Sequence, residues 1–306
     1  MKKGKATIIG IVVLLLLLSV IPLACTTEGN KVAVISLTGS IQGGGGGALL
    51  FGGSVITPQL VRSQLKRARE DSAVKAVVLQ VESPGGIVAA CQEIVNEIEQ
   101  LGKPVVVSMG TMAASGGYFI SANVDKIVAL PGTLTGSIGV ISQVPNLSGL
   151  YEKLGIDMEV FTGGKYKDMY AGHREMTLEE REVMQEMTDL FYDQFVRVVA
   201  EGRGLSEERV RELATGQLYI GEQAKQLGLV DELGGLQTAI DAAAELAGIQ
   251  DPNVEYYRSE APSLLSSLLE LSWDKVQTLI RASSLGAEGV LLLEMLNSPY
   301  PEPAYR

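Results

Sequence analysis

The sequence predicts an α/β fold built on a parallel sheet, and three observations carry that reading. Short apolar runs at Lys31–Leu37, Ala76–Val81, Pro104–Ser108 and Lys126–Leu130 alternate with segments of helical periodicity, the order expected when helices pack against parallel strands. The second run, Ala-Val-Val-Leu-Gln-Val, is apolar almost throughout, as strands covered on both faces are. The turns Ser83–Gly86 and Met112–Tyr118, each leading from a strand into a helix, are rich in Gly.

The elements follow in order. Lys31–Leu37 is the first strand. Gln42–Gly53 holds the five-glycine run Gly43–Gly47 and then Phe51-Gly52-Gly53; without a G-x-x-x-x-G-K-[ST] pattern it reads as a surface loop. Thr57 and Pro58 open a helix as N-cap and first residue, with Leu60, Leu65 and Ala68 on one face. The turn Ser83–Gly86 leads from the 76–81 strand into a helix with a core stripe of Ile87, Cys91, Ile94, Ile98 and Leu101, stopped by Gly102 and Pro104. Pro104–Ser108 is a strand, Met109–Ser115 a short loop, Gly116–Ala122 a helix and Lys126–Leu130 a strand. Thr177-Leu-Glu-Glu180 is a capping box that starts a long helix with Val183, Met187, Leu190 and Phe191 on one face. Ser206-Glu-Glu-Arg209 opens a second helix, Gly221–Gly228 forms a third and Leu236–Leu246 a fourth. Beyond Pro252 the character changes: Leu264–Ile280 reads as a Leu-rich amphipathic helix and Asn297–Arg306, with its three Pro, as an extended tail.

Composition narrows the functional classes. A chain of 306 residues builds a large core in one or two domains, and 20 % charged against 46 % hydrophobic residues excludes wholesale disorder. The net charge is −11, and Lys2, Lys3 and Lys5 are the only charges among the first 25 residues, so the remainder is more acidic still. Nucleic-acid binding, which needs a basic surface, is excluded as the general role. Cys25 and Cys91 cannot form a disulfide framework or a Cys-rich zinc site, and His173, the single histidine, cannot build a multi-His centre. No metal and no cofactor are expected.

Lys2, Lys3 and Lys5 precede an uncharged run from Ala6 to Thr27, enough for about 33 Å of helix against a hydrocarbon core of about 30 Å. A single-pass anchor, a cleaved signal peptide and a lipoprotein signal ending at Cys25 all fit. Leu23-Ala24-Cys25 resembles a bacterial lipoprotein site, although Pro22 stands where an aliphatic residue is usual. The anchor is the reading adopted. All three export the rest of the chain, with the Lys cluster left inside.

The residues with chemical promise lie in the two Gly-rich turns. Ligands of a parallel α/β sheet sit at the carboxyl ends of its strands. Ser115, entering a helix there among Ala and Gly, is suited to nucleophilic attack, because small neighbours let a substrate backbone approach. Gly86 and Gly116 can aim backbone N–H groups at one point, as an oxyanion hole requires. The plainer reading is a pair of ordinary strand-to-helix turns with Ser115 as N-cap. His173 reads as a surface histidine, with a rival role as base, and Cys91 as a small buried hydrophobe.

Ser83-Pro-Gly-Gly86, Met112-Ala-Ala-Ser-Gly-Gly-Tyr118 and Leu134-Thr-Gly-Ser-Ile-Gly-Val140 together resemble the signal peptide peptidase SppA family. The resemblance continues through Gly164-Lys-Tyr-Lys-Asp168, Arg174-Glu-Met-Thr177 and Gly228-Leu-Val-Asp-Glu-Leu-Gly234, and spans about Val32 to Gly248. It is to the short, single-copy form. It implies a ClpP/crotonase-like fold of repeated β-β-α units, and a Ser/Lys dyad of Ser115 as nucleophile and Lys167 as general base. Gly86 and Gly116 would form the oxyanion hole, and Ser137 would hold the lysine in place. Lys165 lies two residues from Lys167, and the residues alone do not choose between them. A lysine acts as base only when neutral, so Asp168 is expected to point away from it. Ser137 also fits as a turn serine bonded to local backbone.

The organisation expected is therefore an anchor or signal at 1–27, a first strand and Gly-rich loop at 28–57, a peptidase domain at 58–248 with a helical segment at 177–214, and a helical and extended tail at 249–306. The resemblance implies a serine endopeptidase on the extracytoplasmic face of the membrane that degrades cleaved signal peptides and other hydrophobic peptides. It also implies a ring-shaped homo-oligomer in which one subunit's Lys serves another's Ser. Two alternatives share these features: a quality-control protease dedicated to one membrane protein partner, and a crotonase-type acyl-CoA enzyme.

Overall fold

The computed structural model describes residues 29–44 and 54–257. The expected anchor, Cys25, most of the Gly43–Gly47 run, the 264–280 helix and the extended tail lie outside the described residues, among which no helix is long and apolar enough to cross a membrane.

Two β-strands open the described chain, β1 (Lys31–Thr38) and β2 (Ser40–Ile41), and β3 (Val55–Ile56) pairs with β2 as a separate small parallel sheet. Helix α1 (Pro58–Glu70) is capped by the Thr57 hydroxyl, which accepts from the Leu60 N–H at 3.2 Å. Then come β4 (Val74–Ser83), α2 (Val88–Glu99), β5 (Val105–Ala114), α3 (Gly116–Ala122), β6 (Lys126–Ala129) and β7 (Leu134–Gly136). Helices α4 (Ser148–Leu154), α5 (Leu178–Arg203) and α6 (Glu207–Leu213) precede β8 (Leu218–Ile220), α7 (Gly221–Gln226), β9 (Glu232–Leu233), α8 (Leu236–Leu246) and β10 (Asn253–Tyr257).

The main sheet runs β10-β1-β4-β5-β6-β9, every pair parallel. Alternation along each strand divides the core. Val32, Val34, Ala76, Val78, Val106 and Val128 face the Ala-rich side of α8, while their neighbours Ala33, Ile35, Leu37, Val77, Leu79 and Val107 face α1, α2, α3 and α5. Burial on both faces explains the nearly continuous apolar runs; each full-sized side chain so buried contributes about 1.5–3 kcal/mol.

β5 changes neighbours halfway along. Its Val106–Met109 stretch pairs with β6 and its Met112–Ala114 stretch with β7. β7 in turn pairs with β8, antiparallel. Between the two stretches Gly110, Thr111 and Met112 stand opposite the single residue Glu82 of β4.

Several expectations are corrected. Met109–Ser115 is not a loop: β5 continues to Ala114 because β7 supplies a new partner. The α1 stripe uses Val61, not the half-buried Leu60, with Leu65 and Ala68. Ile87 leaves the α2 stripe: it precedes the first helical residue, and its N–H is tied to the Ile41 carbonyl. On the face Val183–Phe191 of the 26-residue α5, Leu190 is exposed and the others are half-buried, while the buried apolar residues of the helix are Phe195, Val196, Val199 and Ala200. β10 and α4 were not foreseen. Val254, Tyr256 and Tyr257 carried a strand signal masked by Pro252, and α4 buries no side chain and so carries no core stripe.

α5 crosses α3 with backbone against backbone. A Cβ at Gly202 would lie 2.2 Å from the Ala122 carbonyl oxygen. Alanine favours a helix interior by about 1 kcal/mol over glycine, yet Gly202→Ala is expected to lower the thermal melting temperature. A melting temperature at or above wild type would show that the crossing relaxes without cost.

Candidate active site

Ser115 joins β5 to α3 with φ 51° and ψ −120°, a conformation that a non-glycine residue rarely adopts. Such strain costs about 1–3 kcal/mol and persists only where the surroundings impose it. Here the Ser115 N–H donates to the Gly136 carbonyl at 2.8 Å, and the Ser115 carbonyl accepts from the Phe119 N–H at 2.9 Å. The backbone is held from both sides, while the hydroxyl makes no capping bond to α3. Ser115 thus stands at the N-cap position of α3 without its hydroxyl capping the helix.

The Ser83–Gly86 turn lies directly against it. Gly85 has φ 110°, and a Cβ there would lie 2.7 Å from the Gly116 nitrogen and 2.9 Å from Ser115 Cβ. A Cβ at Gly86 would meet the Ile41 carbonyl oxygen at 1.9 Å, and one at Gly116 would meet Cys91 Sγ at 2.8 Å and the Gly86 nitrogen at 2.9 Å. No other residue type fits these approaches. Ile41 donates to the Gly85 carbonyl and accepts from the Ile87 N–H, a parallel bridge in which the Gly86 N–H points away from Ile41. The Gly116 N–H belongs to the first helical position, which has no partner within its helix.

Glu82 sets how the two turns meet. Its carboxylate accepts from the Thr111 N–H at 2.6 Å, the Thr111 hydroxyl at 2.8 Å and the Met112 N–H at 3.1 Å. These are groups of the β5 bulge that the ladder leaves without strand partners. A Cβ at Gly110 would fall 2.1 Å from Glu82 Oε2, so a larger residue there would displace the carboxylate. A carboxylate breaking the apolar β4 run was the available sequence signal.

A cavity of about 570 Å³ opens over Ser115, Gly86 and Gly116. Ser137 lines it too, with φ 49° and its N–H donating to the Gln217 carbonyl at 2.8 Å. The apolar wall includes Val88, Phe119, Phe191, Tyr192 and Phe195, and Phe119 meets Phe195 edge to face at 5.1 Å. The α5 and α6 side of this wall was not foreseen as part of a site. Cys91 is buried beneath Gly116, and burial pushes its thiol up to about 12.

The structure brings Ser115, Ser137, Gly86 and Gly116 together and leaves Lys167 apart. Among the described residues no lysine or histidine lines the cavity. Lys167 is exposed in the turn after Gly164. Lys165 is ion-paired with Glu179, whose Oε1 also accepts from the Tyr166 hydroxyl at 2.7 Å. Asp168 is taken by Arg174, through Nε to Oδ2 and Nη2 to Oδ1, both at 2.9 Å. His173 is not a free surface residue: its side chain is 12 % exposed, with Nε2 3.8 Å from Asp168 Oδ2. Arg174 also reaches Glu180, the capping-box residue of α5, whose side chain is 4 % exposed. That cluster escaped the sequence reading, because its members are separated by turns of no regular period.

Two outcomes are expected. Glu82→Ala strands the bulge N–H groups, lowers stability by about 1–3 kcal/mol, and slows labelling of Ser115 by a fluorophosphonate at least tenfold; an unchanged labelling rate would show that the bulge holds itself. Iodoacetamide at neutral pH leaves Cys91 unmodified in the folded protein, because the thiolate is scarce; rapid carboxymethylation read by mass spectrometry would contradict the burial.

Comparison with known proteins places this geometry. Residues 97–250 match peptidase family S49, and residues 55–135 match the Clp protease family. The chain is 40 % identical over 245 residues to the Enterococcus faecium protein named "Putative signal peptide peptidase SppA", covering 79 % of this chain and 71 % of that one. It is 37 % identical over 249 residues to Protease 4 of Haemophilus influenzae and 35 % identical over 230 residues to the chloroplastic serine protease SPPA of Arabidopsis thaliana. The matches cover 78 % and 74 % of this chain but 40 % and 34 % of those longer proteins. A peptidase match over this span leaves no place for the acyl-CoA alternative. With a Clp protease-like sheet, a strained serine over a cavity and relatives of this kind, the chain belongs to peptidase family S49, the SppA family, and is a serine peptidase.

Proposed function

We propose that the protein is a membrane-tethered endopeptidase that degrades cleaved signal peptides and other hydrophobic peptides, with Ser115 as nucleophile and Lys167 of a neighbouring copy as general base. The observation that carries this reading is the cavity itself: it holds a serine whose hydroxyl makes no capping bond and, among the described residues, no lysine or histidine to serve as base. Lys165 is unsuited to that role, since its bond to Glu179 favours the ammonium form.

In the proposed reaction the Lys167 amine takes the Ser115 hydroxyl proton as Oγ attacks the scissile carbonyl carbon. The Gly86 and Gly116 N–H groups stabilise the oxyanion. The tetrahedral intermediate expels the amine, which receives the proton from Lys167, and an acyl-Ser115 ester remains. Water, deprotonated by the same lysine, hydrolyses the ester. Ser137 orients the lysine. The apolar wall of the cavity suits small or apolar residues before the cleaved bond.

Assembly is supported by the apolar surface carried between β7 and α5. Ile141 is 81 % and Phe161 92 % exposed, and Leu150, Leu154 and Met158 are exposed as well. A face of this kind is covered in a stable oligomer, for which an interface of about 1,600 Å² suffices. The apolar run Ala6–Thr27 supports the tether.

Ser115→Ala and Lys167→Ala are each expected to abolish cleavage with the fold intact. Mixed, dissociated and reassembled, the two inactive variants are expected to regain a fraction of wild-type activity, because some junctions join an intact Ser to an intact Lys. Cleavage should also rise with pH toward an alkaline optimum, as a neutral amine requires. No recovery in a mixture shown by native mass spectrometry to have co-assembled would place the dyad within one chain. An optimum near pH 5 would exclude the lysine altogether.

A further inference from the structure

The turn that carries Lys167 is crowded with charge, and almost all of it is paired. Lys165 and Tyr166 share Glu179. Arg174 is held between two carboxylates. On one side it bonds both oxygens of Asp168 at 2.9 Å. On the other, Nη1 and Nη2 bond Glu180 Oε2 and Oε1 at 2.8 and 2.6 Å. Nη1 also donates to the Glu175 carbonyl at 3.0 Å. Glu180 accepts in addition from the Thr177 N–H at 2.8 Å, so the cluster is fixed to the first turn of α5. The groups facing Asp168 are Arg174 and His173 from its own turn and Glu180 from α5. Lys167, although next to Asp168 in sequence, makes no ion pair among the described residues.

We propose that Arg174 is a positioning residue for the reaction: by occupying both oxygens of Asp168 it denies that carboxylate to the Lys167 amine, which is left free to act as a neutral base. The inference rests on the assignment of Lys167 as base. A carboxylate beside a lysine stabilises the ammonium form by one or more pKa units, so the residue adjacent to a lysine base is the worst place for an unengaged acid. The clamp removes that threat without removing the carboxylate. Arg174 holds Asp168 below the usual carboxylate range, and together with the Thr177 N–H brings Glu180 to about 2. Both acids therefore stay ionised, and the clamp stays closed, across the whole range in which a lysine base works.

The test is the pH dependence of kcat/KM for the assembled full-length protein on a fluorogenic apolar peptide. Removing Arg174 alone would strand the buried Glu180, so the main variant is R174M/E180Q, in which glutamine keeps the capping box. It is expected to raise the apparent pKa of kcat/KM by about one unit, lowering activity near neutral pH about tenfold while the alkaline plateau stays within a few-fold of wild type. Adding Asp168→Asn should return the profile to its wild-type position, and E180Q alone should leave it there. If R174M/E180Q does not fold, R174Q/E180Q, which likewise leaves no buried charge at position 180 and offers polar groups at both positions, is expected to give the same upward shift. A plateau reduced at every pH with an unmoved apparent pKa would show a merely structural role and overturn the proposal, as would failure of Asp168→Asn to restore the profile. Failure of the underlying assignment looks different: Lys167→Ala would then remain active, whatever the Arg174 variants do.

Discussion

Everything at the site depends on one close approach, the contact of the Gly85–Gly86 backbone with Ser115 and Gly116. The spacing leaves no room for a side chain at three of these four positions. That places two amide nitrogens and a hydroxyl within one small volume. The rest of the fold serves to hold the two turns there. β4 and β5 are adjacent parallel strands, so their carboxyl ends emerge together. The Ile41 bridge grips one turn from outside and the Gly136 carbonyl grips the other. The strain at Ser115 is sustained by these backbone bonds, so a hydroxyl can be presented without being drawn into capping its own helix.

The positions that sequence reading found are those where chemistry and local geometry coincide. Thr57, Thr177 and Ser206 announce helix starts because a cap is a local event, and all three hydroxyls accept the expected N–H. Ser115 and its glycines were visible because tight turns demand particular residues. Ile87 and Leu190 misled because periodicity records which residues could share a face, not whether that face meets the core. The Met109–Ser115 stretch misled for a related reason: Gly110 and Thr111 look like a break in a strand, and only the arrival of β7 as a distant partner keeps β5 extended. The Arg174 clamp depends on three side chains brought together by turns, for which a linear pattern has no signature.

The choice between Lys165 and Lys167 shows what the structure adds to a motif. In sequence the two are equivalent. In space one is bound to Glu179 and the other stands clear of any ion pair among the described residues. Their difference comes from Glu179 and Arg174, in the first turn of α5 and the segment just before it. The start of that helix thereby gives two neighbouring amines different surroundings, one engaged by a carboxylate and one without an ion pair among the described residues.

The β5 bulge has a consequence for how the gene tolerates change. Between Met109 and Ala113 the strand spends four steps while β4 spends two. The surplus is two residues, an even number, so side chains beyond the bulge keep the facing they had before it. Losing or gaining one residue here would invert that phase: Ala113 would exchange faces with its neighbours Met112 and Ala114, and Ser115 would enter its helix rotated away from the cavity. Single-codon insertions and deletions should therefore be eliminated from this stretch more strictly than many substitutions. By contrast, the segment between β7 and α5 pairs with no strand, and a change in its length disturbs no register. The count of residues, more than their identity, is what the chain must conserve along this part of its sheet.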